Sequence, residues 1–220
     1  MTQPLDWNPT PFPAPLDLRG RTVTLEPLNA EKHTDALWQA LQGHDALWTW
    51  LADNPLCNEA ALRESLTVKH TGSSALFFAI LPVKTGLAAG YLSLMRIDAA
   101  NGVVEVGNVL FSPALQRTTE ATEAIYLIAR HVFEDLGYRR LEWKCNAENE
   151  PSRRAALRFG FTFEGIFRQH MVIKGRNRDT AWFSMLDVEW PARKRAFEEW
   201  LVISNFDKQG KQRMRLEQIL

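Results

Sequence analysis

From Ser112 to Ala124 the chain reads SPALQRTTEATEA, a strand end, a turn and the first turn of a helix. No proline lies between Gln116 and Ala121, so every backbone N–H there is available to an anion, where the helix dipole is positive. Such a turn suits phosphate. The hydroxyls of Thr118 and Thr119 can add donors, and Arg117 adds a fixed charge. The plainer reading of the same residues is a helix start capped by its threonines. Upstream, Gly102 to Phe111 is apolar except for Glu105 and Asn108, which predicts a strand leading into the turn.

The elements needed to hold this turn are legible in the pattern. Ala121, Ile125, Ile128, Val132 and Leu136 recur at helical spacing. Tyr138 to Cys145 alternates Leu141, Trp143 and Cys145 against Arg140, Glu142 and Lys144, a strand with Cys145 on its core face. Pro151 to Phe159 reads as a helix. Phe161 to Ile173 and Thr180 to Leu186 read as strands joined by a Lys174 to Asn177 turn, with a terminal helix over Ala192 to Val202. Toward the N-terminus, Pro4 to Pro15 is too proline-dense for a helix or a central strand and is expected to lie extended on the surface. Thr22 to Pro27 alternates as a strand. Asn29 caps a helix with Ala36, Leu37, Ala40 and Leu41 on its apolar side, and Glu59 to Lys69 is a second helix. Ala75 to Leu81 and Ala88 to Ile97 are strands joined by a Pro82 to Gly86 turn.

The turn, then Leu136-Gly137-Tyr138-Arg139-Arg140, then Asn149-Glu150-Pro151-Ser152, then Gly160-Phe161, taken in that order, resemble the GNAT superfamily of acyl-coenzyme A dependent N-acetyltransferases. Within it they are similar to the RimJ/RimL-like branch, which includes acetylases of ribosomal-protein N-termini. Glu142-Trp143-Lys144-Cys145, Glu164-Gly165 and Arg178-Asp179-Thr180 share that flavour, and the resemblance spans about Arg19 to Trp190. It implies an α/β (α+β) fold: a mixed, mostly antiparallel sheet of about six to seven strands, flanked by helices. The sheet would splay at the cofactor site beyond Phe111, with Gly107 serving the opening.

The resemblance also implies an activity, transfer of acetyl from acetyl-CoA to a primary amine by direct attack in a ternary complex. The cofactor would lie against Leu110 and Phe111, with a backbone N–H near one or the other polarising the thioester carbonyl. Gln116, Arg117, Thr118, Thr119, Glu120 and Ala121 would hold its pyrophosphate, with Asn149 and Ser152 alongside. Glu105, the only acid in its strand, is the candidate base, which asks for a carboxyl lifted by apolar surroundings; the alternative is an outward-facing glutamate. Ser152 is the candidate acid, and its alternative is simple helix capping. Trp48, Trp50, Tyr91 and His170 are candidates for lining the acceptor site, with Phe77, Phe78 and Arg168 near them. Trp143 and Trp182 fit strand patterns and read as core. Two departures stand out: Arg117 and Thr119 replace the branch's glycines at the pyrophosphate turn, and Ala156 stands where many superfamily members carry a tyrosine that protonates the departing thiolate. They favour the alternative function, a non-catalytic acyl-CoA-binding or regulatory module.

Composition bounds the rest. The chain has 220 residues, 45% of them hydrophobic, with 26 basic against 26 acidic side chains. That is enough for one core, and the balanced charge gives no basis for nonspecific attachment to nucleic acid or membrane. The expected organisation is an arm over 1–18, an acetyltransferase domain over 19–190 and a helical extension over 191–220 packed on it. The chain contains no Gly-x-x-x-x-Gly-Lys motif of a nucleotide hydrolase or kinase. Only Cys57 and Cys145 are present, too few for a disulfide framework, and the five histidines have no ligand spacing, so no metal is expected. With no signal segment or membrane-length apolar run, a cytoplasmic protein is expected, monomer or homodimer. A protein N-terminus, an aminoacyl-type small molecule and a polyamine all remain open as acceptors.

Overall fold

Side-chain caps start four of the helices. Asn29 accepts the Lys32 N–H to open α1 (Ala30–Leu41), and Asn58 accepts that of Ala61 to open α2 (Glu59–Thr71). Thr118 accepts the Ala121 N–H at α3 (Thr119–Arg130), and Asn149 accepts the Ser152 N–H at α4 (Glu150–Arg158). Each satisfies a backbone donor that the first helical turn leaves free. The last helix, α5 (Trp190–Leu201), has no such cap and begins with proline in its first turn. The computed structural model describes residues 6–220, so Pro4 and the beginning of the proline-rich arm lie outside the described residues.

The strands are β1 (Leu18–Arg19), β2 (Val23–Pro27), β3 (Ala75–Pro82), β4 (Gly90–Asp98), β5 (Val103–Phe111), β6 (Arg140–Asn146), β7 (Thr162–Ile173) and β8 (Arg176–Leu186). They form one sheet of eight strands in the order β1-β2-β3-β4-β5-β6-β8-β7. The mixed, mostly antiparallel architecture matches the expectation, with more strands than foreseen. One of them, β1, is a two-residue edge too short to show alternation. Every neighbouring pair is antiparallel except β5 and β6, which α3 connects as a crossover. Among the described residues no helix is long and apolar enough to cross a membrane.

Strand alternation sends side chains into two apolar layers. Phe78 and Ile80 join α3, α5 and the inward face of β6 in the larger core, while Phe77, Ala79 and Leu81 meet α1 and α2 on the other face. The helix expected to be amphipathic is buried along its whole length from Ala121 to Ala129, because α3 lies between the sheet and α5. Each of Ile125, Leu127 and Ile128 thereby contributes roughly 2 kcal/mol of burial. One buried acid belongs to this helix: the Glu123 carboxylate accepts the backbone N–H groups of Arg21 (2.8 Å) and Thr22 (2.6 Å), tying α3 to the β1–β2 turn. The arm is anchored too. Trp7 donates its indole N–H to Ala100 O (2.8 Å) and covers Gly102, where a Cβ would stand 2.4 Å from the ring.

Candidate active site

Two irregularities in β5 create the site. Against β4, Tyr91 faces Leu110 and Ser93 faces Gly107, so Asn108 and Val109 together oppose Leu92 in a bulge. Asn108 adopts a left-handed conformation (φ 49°) there. At Gly107 a Cβ would meet the Met95 sulfur at 2.5 Å, which explains the glycine. Against β6, pairing stops after Glu105↔Glu142 although both strands continue. The opening expected beyond Phe111 therefore starts six residues earlier. Ser112 donates its N–H to Ala89 O (3.0 Å), toward the β4 side. By alternation the Leu110 N–H points that way as well, and the Phe111 N–H points into the gap.

The turn after β5 sits at the mouth of this gap. Gln116 donates its N–H to Ser112 O, and Ala121 donates to Thr118 Oγ1, so neither is free as the sequence suggested. The four between them, on Arg117, Thr118, Thr119 and Glu120, have no partner among the described residues. The Thr118 hydroxyl donates to Leu115 O (2.7 Å) and is committed to the turn. Arg117 takes the left-handed conformation (φ 60°) that a glycine adopts without strain, and its side chain is exposed. Four adjacent donors at a helix N-terminus fit a diphosphate, even without the branch's glycines.

Glu105 is 3% exposed, which excludes an outward-facing carboxylate. Its surroundings are cationic instead of apolar. Glu105 Oε2 lies 2.8 Å from Arg96 Nη1 and 3.1 Å from Lys144 Nζ, and Lys144 also reaches Glu142 Oε2 at 2.7 Å. Both of these Glu105 contacts are made at Oε2. Lys144 Nζ stands 3.7 Å from the centre of the Trp182 ring. The ladder continues through Arg140, which bonds Glu142 Oε1 (2.8 Å) and both oxygens of Glu164. Arg140 holds the Glu164 carboxyl down to about 2. The sequence carried one sign of this network, the alternation of Arg140, Glu142 and Lys144 on one face of β6; Arg96 and Trp182 left none. Trp182, expected in the core with Trp143, is on the opposite face.

Across the gap, Asn149 Oδ1 accepts the Ser152 N–H (3.2 Å), and Ser152 Oγ accepts the indole N–H of Trp143 (3.0 Å). Asn149 is thus the cap of α4, and Ser152 lies inside its first turn. Neighbouring Cys145 is buried, and burial pushes its thiol pKa up. Trp48 and Tyr91 are buried beneath the α1–α2 loop, and burial pushes the Tyr91 hydroxyl up. Trp50 is 36% exposed. His170, in the β7–β8 hairpin, contacts Thr180 Oγ1 (3.0 Å) and the Phe167 and Trp182 rings. Lys174 at the hairpin tip donates to Trp48 O (2.8 Å), joining the two walls of the cleft. Phe78 faces the other layer. Among the described residues no group of three His, Cys, Asp or Glu side chains gathers as a metal site would require.

A sheet that parts between parallel β5 and β6, beside a donor-rich helix start, defines an acyltransferase of the GNAT type. The sequence model of the acetyltransferase (GNAT) domain matches residues 22–162, and the chain belongs to that family. A GCN5-related N-acetyltransferase from Brucella melitensis is 50% identical, with 97% of this chain and 98% of that one covered and a TM-score of 0.95. A probable GNAT-family acetyltransferase from Chromobacterium violaceum is 41% identical over 87% of this chain and 98% of its own, with a TM-score of 0.82. A curated Bacillus subtilis (strain 168) relative, named "Putative ribosomal N-acetyltransferase YdaF", is 27% identical over 77% of this chain and 92% of its own. The protein is an N-acetyltransferase, and the non-catalytic reading is not favoured.

Proposed function

We propose that the protein moves acetyl from acetyl-CoA to the amine of a protein N-terminus or an amino-acid-like small molecule in the cytosol. The observation that carries this reading is the row of four unpartnered N–H groups, Arg117 to Glu120, at the mouth of the β5–β6 gap. These donors and the positive end of α3 hold the pyrophosphate. The Phe111 N–H, pointing into the gap, polarises the acyl carbonyl. Glu105 accepts the ammonium proton at its carboxylate, directly or through water. Asn149 offers its Nδ2 to the pantetheine, and Ser152 offers its O–H beside the sulfur. Acetyl-CoA supplies a thioester whose thiol, with a pKa near ~8.5, departs without a strong acid; Ala156 is therefore compatible with turnover. Residues 19–190 form the catalytic unit in this reading, with α5 of the C-terminal extension in the same core.

The test has two parts. Saturating acetyl-CoA raises the melting temperature by mass action while ATP does much less. Free thiol is then released from acetyl-CoA across a panel of peptide N-termini, aminoacyl compounds and polyamines. An unmoved melting curve, with another nucleotide shifting it, would overturn the phosphate-turn assignment.

A further inference from the structure

Resting on that acetyl-transfer reading, we infer that the acceptor carries a carboxylate close to its amine and that Arg178 recognises it. Arg178 lies on β8, opposite Met171 of β7. It shares a face with Thr180 and Trp182, by the alternation of a strand, and so belongs to the cleft lined by Lys144 and His170. Every other charged side chain of the ladder is paired: Arg96 with Glu105, Lys144 with Glu105 and Glu142, Arg140 with Glu142 and Glu164. Arg178 has no ion pair or hydrogen bond among the described residues, and its Nε is buried without a partner. Four cations, Arg96, Lys144, Arg140 and Arg178, thus share the face with three carboxylates, Glu105, Glu142 and Glu164.

The other orphans nearby have the same polarity. Trp182 Nε1 on the same strand and Trp48 Nε1 on the facing wall are also buried without acceptors, and the Lys174–Trp48 contact connects their walls. All three atoms are donors. Buried donors without acceptors are costly in a native fold, more so when the group is charged. A ligand rich in acceptors and negative charge removes that cost. A guanidinium serves it best, because its planar fork takes a carboxylate through two parallel hydrogen bonds. Besides burial, Cys145, Glu105 and Arg96 are the ionisable groups acting on Arg178. Glu105 and Arg178 therefore offer opposite charges to one molecule, a pattern complementary to an amine with a nearby carboxylate. A polyamine would add positive charge to a face already in surplus.

Calorimetry on the coenzyme A-saturated protein tests this. The probes are C-terminally amidated peptides beginning Ser-Asp, Ser-Asn and Ser-Lys, free aspartate, and spermidine. The Ser-Asp peptide is expected to bind about thirtyfold tighter than the Ser-Asn peptide, the scale of one charge-assisted bond. Arg178→Gln should erase that ratio, and Arg178→Lys should restore part of it, both with an unshifted melting curve. In turnover with acetyl-CoA the preference should appear in KM and not in kcat. Tight binding of free aspartate would identify a small-molecule acceptor, and binding of the peptide alone a protein N-terminus; either supports the inference. It is overturned if neither acidic ligand binds, if the Ser-Asn peptide, the Ser-Lys peptide or spermidine binds as well, or if the Asp-to-Asn ratio survives Arg178→Gln. Arg178-dependent binding of acidic ligands without turnover on any acceptor would sink the transfer reading and leave the inference standing. Equal turnover and binding on neutral amines would do the reverse.

Discussion

Strand β6 has two edges that behave differently. Along one, all seven of its residues pair with β8 in unbroken register, Arg140↔Leu186 through Asn146↔Thr180. Along the other, only the first three pair with β5, and the ladder stops at Glu105↔Glu142. The continuous edge is scaffold: its backbone groups are satisfied and its inward side chains, Leu141 and Trp143, are core. The interrupted edge leaves backbone groups and a bulge facing a gap, which a folded protein retains where something else is to pair with them. One strand thus supplies both rigidity and a reactive opening, and the opening inherits its precision from the paired side.

Substitutions can separate the edges. The largest effect is expected from Glu105→Gln, at the last paired position of the interrupted edge: turnover falls by about a thousandfold, within the range of general acid–base catalysis. Cofactor affinity stays nearly unchanged. The loss should shrink as pH rises, since more of the acceptor amine is then already neutral; a loss constant with pH would assign Glu105 to positioning, and wild-type turnover would remove it from the mechanism.

Next is Thr119→Pro. Thr119 is the first residue of α3 and follows an extended Thr118 (φ −98°, ψ 168°), so proline fits the helix and deletes one free N–H. Acetyl-CoA should bind about thirtyfold weaker, with the unliganded melting temperature unchanged. Thr119→Gly should bind as well as wild type or tighter. Ser152→Ala is expected to cost about tenfold in turnover, since the thiolate leaves readily. It also strands the Trp143 indole N–H, at about 1 kcal/mol of stability measurable by denaturant unfolding. Complete inactivity with cofactor still bound would rank Ser152 above Glu105.

The smallest effect belongs to the continuous edge and concerns pH. Glu164 is held to about 2 by Arg140, so its stabilising contribution is fully present above its ordinary value of 4.5 and is lost as pH falls through about 2. Arg140→Gln should therefore lower stability at neutral pH and flatten its acid dependence between about pH 5 and 2, leaving acetyl-CoA affinity intact. An unchanged acid profile would show that the pair contributes nothing.

Much of this was legible in the residues because it depends on short-range patterns. The alternation of Thr22 to Pro27 and of Tyr138 to Cys145, and the asparagine at position 29, each predict an element whose boundaries fall within about two residues of the observed ones. Glycine at 107 marked the bulge. What escaped depends on register. Nothing local in Arg96, nine residues before Glu105, says that their side chains meet, since that requires the β4–β5 pairing. Lys144 meets Glu105 only because β5 and β6 run parallel at the start of the gap. Trp182 looks like any core tryptophan until the alternation of β8 is fixed relative to β6. The two-residue β1 escaped for a simpler reason: it has too few residues to carry a period.

The Glu123 carboxylate has a consequence for how this molecule can be watched. It locks the amide protons of Arg21 and Thr22 onto α3, the helix whose first turn holds the free donors. Those two amides exchange with solvent only when the junction between α3 and the β1–β2 turn opens, so their exchange rates report the opening free energy of that junction. A ligand clamped by the first turn of α3 slows them. Two positions far from the gap thus serve as a built-in gauge of its occupancy.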